Sequence, residues 1–530
     1  MYNNKKQTFM QGVMVLMFSQ IIIKIAGLLY KIYLTNKVGF GDTGNAIFSA
    51  GFQIYTILLA ISSIGVPNTI SQLVSGKSAI GDNKGAHRIF KIAIAIFGFV
   101  GFLCSSFLFL NAKSLANTYL GIPEAEMTIR ALSPSIFIVA ISSVLRGYFN
   151  GKERISITAH SQTIEQILKT ILTIISVEIF AAISKDNTKV MVAGAAVATT
   201  ISTFFSFAYL YLLYIRNKKE IWKDTLLSTH KEKESISRII KTILYISLPI
   251  SLTALLASVN RTIDAFSVIN ITSDFLGAEE AKFQYGILTG KVEGLIMLPY
   301  SFNIAFATSL IPSISAAKAR GEMDKAVKRI KFSILATILI TMPCTAILAI
   351  FAEPILKLLF PNAYLGATML KLCSLSIIFV GVTQTIGGVL QGIKKVKVPI
   401  IAIGIGALVK VVLNILLLPI EMLNIKGAII STIISHVVTF IISLIYLKKY
   451  IRIKFKISKF IIKPIIATIS MAFASWYIYE KFVILGLGKI SLVISLILGI
   501  VIYVLAILAL RILSKEEMCM LPYGNKICKK

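Results

Sequence analysis

The residues with most chemistry to offer are charged side chains set inside long apolar runs. Seven bases lie there, Lys24, Lys31, Lys169, Arg261, Lys291, Lys371 and Lys410, and four acids, Glu165, Glu178, Asp264 and Glu293. A charge in an apolar environment is costly, so such residues face water-filled cavities, pair with one another, or reach an interface with their long stems. Bases outnumber acids, so a cavity lined by them is positive and suits an anion. Lys31, Lys371 and Glu178 fall near the ends of their runs, where snorkelling suffices. Lys24, Arg261 and Lys410 fall nearer the middle. In "ASVNRTIDAF", Arg261 and Asp264 are three apart on one helical face, and either pair internally or line a site. Lys291 and Glu293 in "GKVEG" leave the same alternatives, with Gly290 and Gly294 loosening the helix.

The elements that position these charges are membrane helices. The chain has 530 residues, of which 56% are hydrophobic and only 15% charged, with a mean hydropathy of +0.82. Soluble domains carry about 25% charged residues. An all-α polytopic membrane protein follows. Fourteen stretches are long enough to span, near 9–34, 46–66, 89–111, 128–147, 157–183, 190–215, 242–272, 283–307, 328–352, 365–391, 397–419, 426–447, 460–480 and 486–512. The net charge of +31 is concentrated in the tails and even-numbered connections. That bias places both termini in the cytoplasm and excludes nucleic acid as the reason for the charge. "MYNNKKQTFM" leads into a spanning helix without a cleavage site, so no cleavable signal is expected.

The organisation is a duplication. "VLRG" at 144–147 recurs as "VLQG" at 389–392, and "GDNKGAHRIFKI" from Gly81 recurs loosely as "GEMDKAVKRIKF" from Gly321. Two parallel six-helix lobes are expected, residues 1–220 and 242–452, joined by a cytoplasmic linker at 221–241 that is either amphipathic or plainly solvated. Residues 453–512 add two helices, and 513–530 form a cytoplasmic tail. Parallel repeats place a substrate site at the lobe interface near mid-membrane. A shift of 245 carries Glu165 onto Lys410, opposite charges at pseudo-equivalent sites, which suggests a gate. Gln162, Glu165, Gln166 and Lys169 form a polar stripe on the fifth helix. "RGYFNGKER" reads as a cytoplasmic turn in which Gly147 and Gly151 reverse the chain and Arg146, Lys152 and Arg154 hold it inside. Helix breakers cluster around Pro67, Pro299 and Pro312.

Cys104, Cys344, Cys373, Cys519 and Cys528 form neither a disulfide framework nor a metal pattern, and the four histidines are scattered. No nucleotide-binding, zinc-protease or nucleophile-elbow motif appears. Neither an enzyme nor a cofactor is expected.

"SIGVPNTISQLVS", "LRGYFNGKERISITAHSQTIEQI" and "LPYSFNIAFATSLIPSISAA", in this order across essentially the whole chain, resemble the multidrug/oligosaccharidyl-lipid/polysaccharide exporter superfamily. The resemblance is to the branch of stage V sporulation protein B and the lipid II flippases. It implies a monomeric transporter that flips an undecaprenyl-pyrophosphate-linked cell-wall precursor by alternating access, driven by a coupling ion or the membrane potential. The family's first helix carries a base, a Gly three on, and a second base three further. Lys24 and Gly27 match this pattern, the next position is Tyr30, and Lys31 follows one later. The family's basic residue in helix 8 corresponds to Lys291, and helices 13 and 14 to a groove for the polyprenyl tail. Expected substrate-binding residues are therefore Lys24, Arg261, Asp264, Lys291 and Glu293, with Glu165, Lys169, Lys410 and Lys31 in the cavity or gate. Other readings are a flippase for a different polyprenyl-linked glycan, a cation-coupled drug antiporter, and a non-transporting scaffold for cell-wall enzymes.

Overall fold

Long apolar runs without period-2 alternation satisfy their backbone only as helices, and among the described residues the computed structural model contains no strand. It describes residues 9–226, 228, 234–300, 303, 314, 323–393, 395–451, 453–514 and 517–518. The long helices are α1 (Phe9–Asn36), α2 (Gly41–Ala79), α3 (Asn83–Leu110), α4 (Ala125–Gly151), α5 (Ile155–Ser184), α6 (Thr188–Arg216), α7 (Ile236–Leu276) and the shorter α8 (Ala278–Gly286). They continue with α9 (Met323–Ile350), α10 (Ala367–Gly392), α11 (Lys397–Leu417), α12 (Ile425–Tyr450), α13 (Ser458–Ile484) and α14 (Ile490–Ala509). Short helices at Lys218–Leu226 and Ala352–Leu359 lie between them.

Twelve of these are long and apolar enough to cross a membrane, which makes this a multi-pass membrane protein. The expected count was fourteen. The two further stretches are α1, helical throughout the expected 9–34, and 283–307, described only as far as residue 300 and at 303. Pro312, His230, Cys519 and Cys528 lie outside the described residues.

Local signals start the helices where the sequence offers side-chain acceptors. Asp82 accepts from Gly85 N at 2.8 Å to open α3, and Ser235 accepts from Arg238 N at 3.3 Å to open α7. Pro67 follows a π-helical turn, Ala60–Ile64, inside α2. Its missing N–H costs little there, because the ladder is already broken.

The chain forms two compact units, Met1–Lys291 with Asn414–Ile425, and Val292–Leu413 with Lys426–Lys530. The first unit takes in α7 and α8, which the sequence reading assigned to the second lobe. The reason is local. Ser247 and Ser251 of α7 close on Gly65, just after the π-helical turn of α2, and Gly286 of α8 lies against Asp42 at the start of α2. One core of this unit is built on Val66, Ile70, Val74, Phe90, Tyr148 and Ile243. The second unit has its own, centred on Leu335, Ile386, Val389, Leu447 and Ile512.

The "RGYFNGKER" expectation is corrected. Helix α4 runs through Gly147 to Gly151, and the reversal falls at Lys152–Arg154, with Glu153 at φ 61°. Gly147 and Gly151 instead let α4 lie against α2. A methyl on Gly147 would fall 2.8 Å from Ile70 Cβ, and one on Gly151 would fall 2.7 Å from Val74 Cβ. Ordinary contact needs more room than either offers, so the two backbones approach as small residues allow.

Candidate functional site

The start of α2, the second half of α1, and α8 with residues 287–291 of the π-helical turn Ile287–Val292 that continues it converge in the first unit. Asp42 sits in the first turn of α2, where exposed backbone N–H groups favour an acid. It is 4% exposed, and its Oδ2 lies 2.8 Å from the Nζ of Lys291, a side chain with no exposure at all. Among the described residues, its other oxygen, Oδ1, has no hydrogen-bond partner. Two dry charges tolerate burial only together.

Glycine brings the helices close enough for that pair. A methyl on Gly286 would overlap the Asp42 carbonyl, and one on Gly290 would lie 2.6 Å from the Asn45 amide. Asn45 Nδ2 donates to Thr35 Oγ1 at 2.8 Å, and Thr35 Oγ1 donates to the Lys31 carbonyl at 2.9 Å. Lys31 Nζ donates to the Thr289 carbonyl within the π-helical turn at 3.2 Å. The wider turn of a π-helix shifts the carbonyl ladder, a geometry frequent at functional sites. Lys31 and Lys291 therefore meet the same turn, one through its backbone and the other as part of it.

A second contact lies earlier in the chain, within α8 itself. Lys282, 5% exposed, bonds Glu124 at 2.9 Å and Glu279 at 3.1 Å. Burial opposes the charge on Lys282, but the two carboxylates hold its ammonium above the ordinary lysine value. Burial likewise opposes ionised Glu124, and the Lys282 bond holds its carboxyl below the usual range. Asn270 of α7 donates to the Tyr119 carbonyl at 2.9 Å beside it. Together these contacts form a latch joining α1, α2 and the connection before α4 to α7 and α8.

The remaining expected residues are distributed as follows. Lys169 is boxed by aromatic faces, its Nζ 4.9 Å from the Phe52 ring centre, 5.5 Å from Tyr30 and 5.9 Å from Phe48. These contacts stabilise its charge without a carboxylate. Glu165 accepts from Arg146 Nη2 at 2.6 Å, and the same guanidinium donates to Ser161 at 3.1 Å and Ser206 at 2.9 Å. Arg146 is only 8% exposed, so it ties α4, α5 and α6 together inside the bundle instead of holding a turn at the surface. Asp264 is buried and accepts from Asn414 Nδ2 at 3.1 Å. Lys24 of α1 and Arg261 of α7 are both half-buried in the first unit. Glu293 and Lys410, the latter 1% exposed, belong to the second unit.

Asp42, Glu124, Arg146 and Asn414 were missed as partners. Asp42 and Glu124 fall outside the expected spans, so nothing drew attention to them as buried acids. The available signal was "GDTGN", an acid and an amide three apart at a helix start. Arg146 carried the opposite signal, since a base near a helix end ordinarily snorkels.

The polysaccharide biosynthesis protein family matches residues 9–318, and the MatE family matches 249–416. The lipid II flippase MurJ of Bacillus subtilis (strain 168) is 26% identical over 441 residues, 80% of this chain and 79% of that one. Stage V sporulation protein B of the same organism is 23% identical over 525 residues, 98% of this chain and 99% of that one. Among solved structures, a lipid II flippase MurJ in an inward closed conformation superposes with a TM-score of 0.68 at 18% identity, over 93% of this chain and 98% of that one. An inward-facing MATE-family multidrug transporter of the MOP superfamily superposes with a TM-score of 0.65 at 18% identity, over 83% and 98%.

Proposed function

From the premise that the chain belongs to the polysaccharide biosynthesis protein family, within the multidrug/oligosaccharidyl-lipid/polysaccharide exporter superfamily, we propose that it is a flippase for an undecaprenyl-pyrophosphate-linked cell-wall precursor. It spans the membrane fourteen times as two six-helix lobes and a C-terminal pair, with both termini cytoplasmic, and it is a transporter and not an enzyme. The observation that carries the mechanism is the Asp42–Lys291 pair, wholly buried where glycines bring two helices into contact. Such a contact has two discrete arrangements, joined and parted, as alternating access requires. Lys24 and Arg261 serve the pyrophosphate, because an oxyanion cluster is best held by converging cations. On this reading Lys291 holds the latch until the substrate's charge draws it from Asp42.

The substrate class is supported by the likeness to the lipid II flippase and to stage V sporulation protein B. A polyprenyl chain needs a lateral apolar opening, which α13 and α14 supply in this reading. The MatE match raises a cation-coupled drug antiporter as the competing reading. The excess of bases over acids inside the spans disfavours it, since an organic cation would be repelled.

The test is complementation in a bacterium depleted of its lipid II flippase. Wild type is expected to rescue growth, and Lys24→Ala with Arg261→Ala is expected to abolish rescue at equal membrane abundance. Rescue by that double variant would refute the cation clamp. Failure of wild type, together with rescue of a strain lacking a flippase for another polyprenyl-linked glycan, would move the substrate to that glycan.

A further inference from the structure

Residues 448–463, "KKYIRIKFKISKFIIK", hold seven Lys or Arg and no acid. Membrane topology asks only that such charge be on the correct side. Here the fold goes further and fixes which way the bases face. After α12 the chain leaves the helix and its side chains alternate. Ile451 and Ile453 are 3% and 5% exposed in the core of the second unit, and Phe455 packs beside them with its ring 5.1 Å from that of Phe460. Lys454 and Lys456, at the intervening positions, are exposed. A one-residue slip would bury lysines and expose the isoleucines, so the core locks the basic edge outward.

The bases also divide by employment. Lys459 is bonded to both carboxylate oxygens of Glu517, at 2.6 and 2.7 Å, and Lys463 donates to the Leu510 carbonyl at 2.7 Å, so both are committed to the end of α14. Lys448, Lys449, Lys454 and Lys456 are exposed, and among the described residues none has a carboxylate partner. An independent feature sets their depth. Tyr446 and Tyr450 stack at 6.2 Å, and Lys395 Nζ stands 4.7 Å from the Tyr450 ring centre. Amphipathic rings of this kind sit at headgroup level. Ile457 and Ile461 are 66% and 48% exposed in the same stretch, poorly placed against water and well placed against acyl chains.

We propose that the end of α12 and the α12–α13 connection bind the headgroup of an anionic phospholipid, with Lys448, Lys449, Lys454 and Lys456 around its phosphate and Ile457 and Ile461 against its chains. A soluble acidic partner would leave the isoleucines uncovered, and a zwitterionic lipid brings no net negative charge to offset four cations.

The test is native mass spectrometry of the full chain released from nanodiscs of mixed phosphatidylglycerol and phosphatidylethanolamine. Wild type is expected to retain phosphatidylglycerol preferentially. Each surface lysine is worth roughly fivefold near an anionic membrane, so changing all four to Gln is expected to cut retention by at least about tenfold. Lys218→Gln, Lys219→Gln and Lys223→Gln together, exposed bases on the Lys218–Leu226 helix, should leave it unchanged. Equal retention of both lipids by wild type, or unchanged retention by the quadruple variant, would overturn the proposal. Wild type retaining added undecaprenyl pyrophosphate in place of phosphatidylglycerol, with loss in the quadruple variant, would reassign the patch to substrate. Should the variant not fold, a salt series on wild type decides. Retention unaffected by about 0.5 M salt, where the Debye length falls to about 4 Å, would equally overturn it.

Discussion

Asp42→Ala is the perturbation most diagnostic of the latch. It strands the Lys291 ammonium in a site with no exposure, beside helices too close for water to enter freely. Removing one partner of a buried ion pair costs about 3–5 kcal/mol, and about 1.4 kcal/mol is a tenfold change in an equilibrium. The joined arrangement should therefore lose roughly two to three and a half orders of magnitude against the parted one. Lys291→Met strands the carboxylate instead, and should act in the same direction. The double variant Asp42→Ala with Lys291→Met leaves no charge behind and should recover most of the loss. The readout is modification of Thr289→Cys, a position 3% exposed in the π-helical turn, by a membrane-impermeant maleimide after the native cysteines are replaced by Ser. Labelling should be slow in the parent, fast in each single variant, and slow again in the double. Single variants that label at the parent rate, or a double variant as fast as the singles, would refute the pair as the element holding α8 to α2.

Gly286→Ala should weaken the same contact by about 1–3 kcal/mol or more, because the added methyl overlaps the Asp42 carbonyl, and Thr289→Cys labelling should rise accordingly. Gly76→Ala has nothing within 4 Å and should instead stabilise α2 by about 1 kcal/mol, read as a higher melting temperature with unchanged labelling. The Glu124–Lys282 contact should be silent across neutral pH. Glu124 is held below its ordinary 4.5, so its contribution is complete above that value and fades as pH falls below it; Lys282 is held above its ordinary 10.5, so its contribution fades only as pH rises beyond that. Spin labels at Lys113→Cys, in the connection before α4, and at Asp274→Cys, near the end of α7, on the two segments that Asn270 joins, should report one distance between those limits. A change in that distance between about pH 6 and 9 would assign the latch to a different titrating group.

Much of this protein was legible before any coordinates. Membrane class, helical character and the positions of twelve of the spans follow from the cost of leaving a backbone unsatisfied in lipid, a rule that acts segment by segment. The internal "VLRG" and "VLQG" repeat and the excess of buried bases are likewise written along the chain. Partners are not. Lys291 finds Asp42 across 249 positions, Lys282 finds Glu124 across 158, and Lys169 finds three aromatic faces on two other helices. Proximity along the chain suggested neighbours such as Glu293 for Lys291, because local order is all a sequence displays. Which helix faces cross, and therefore whether a glycine turns the chain or admits a neighbour, is decided by packing between distant segments. Gly147, Gly151 and Gly286 look alike in the sequence, and only the tertiary structure makes all three points of contact.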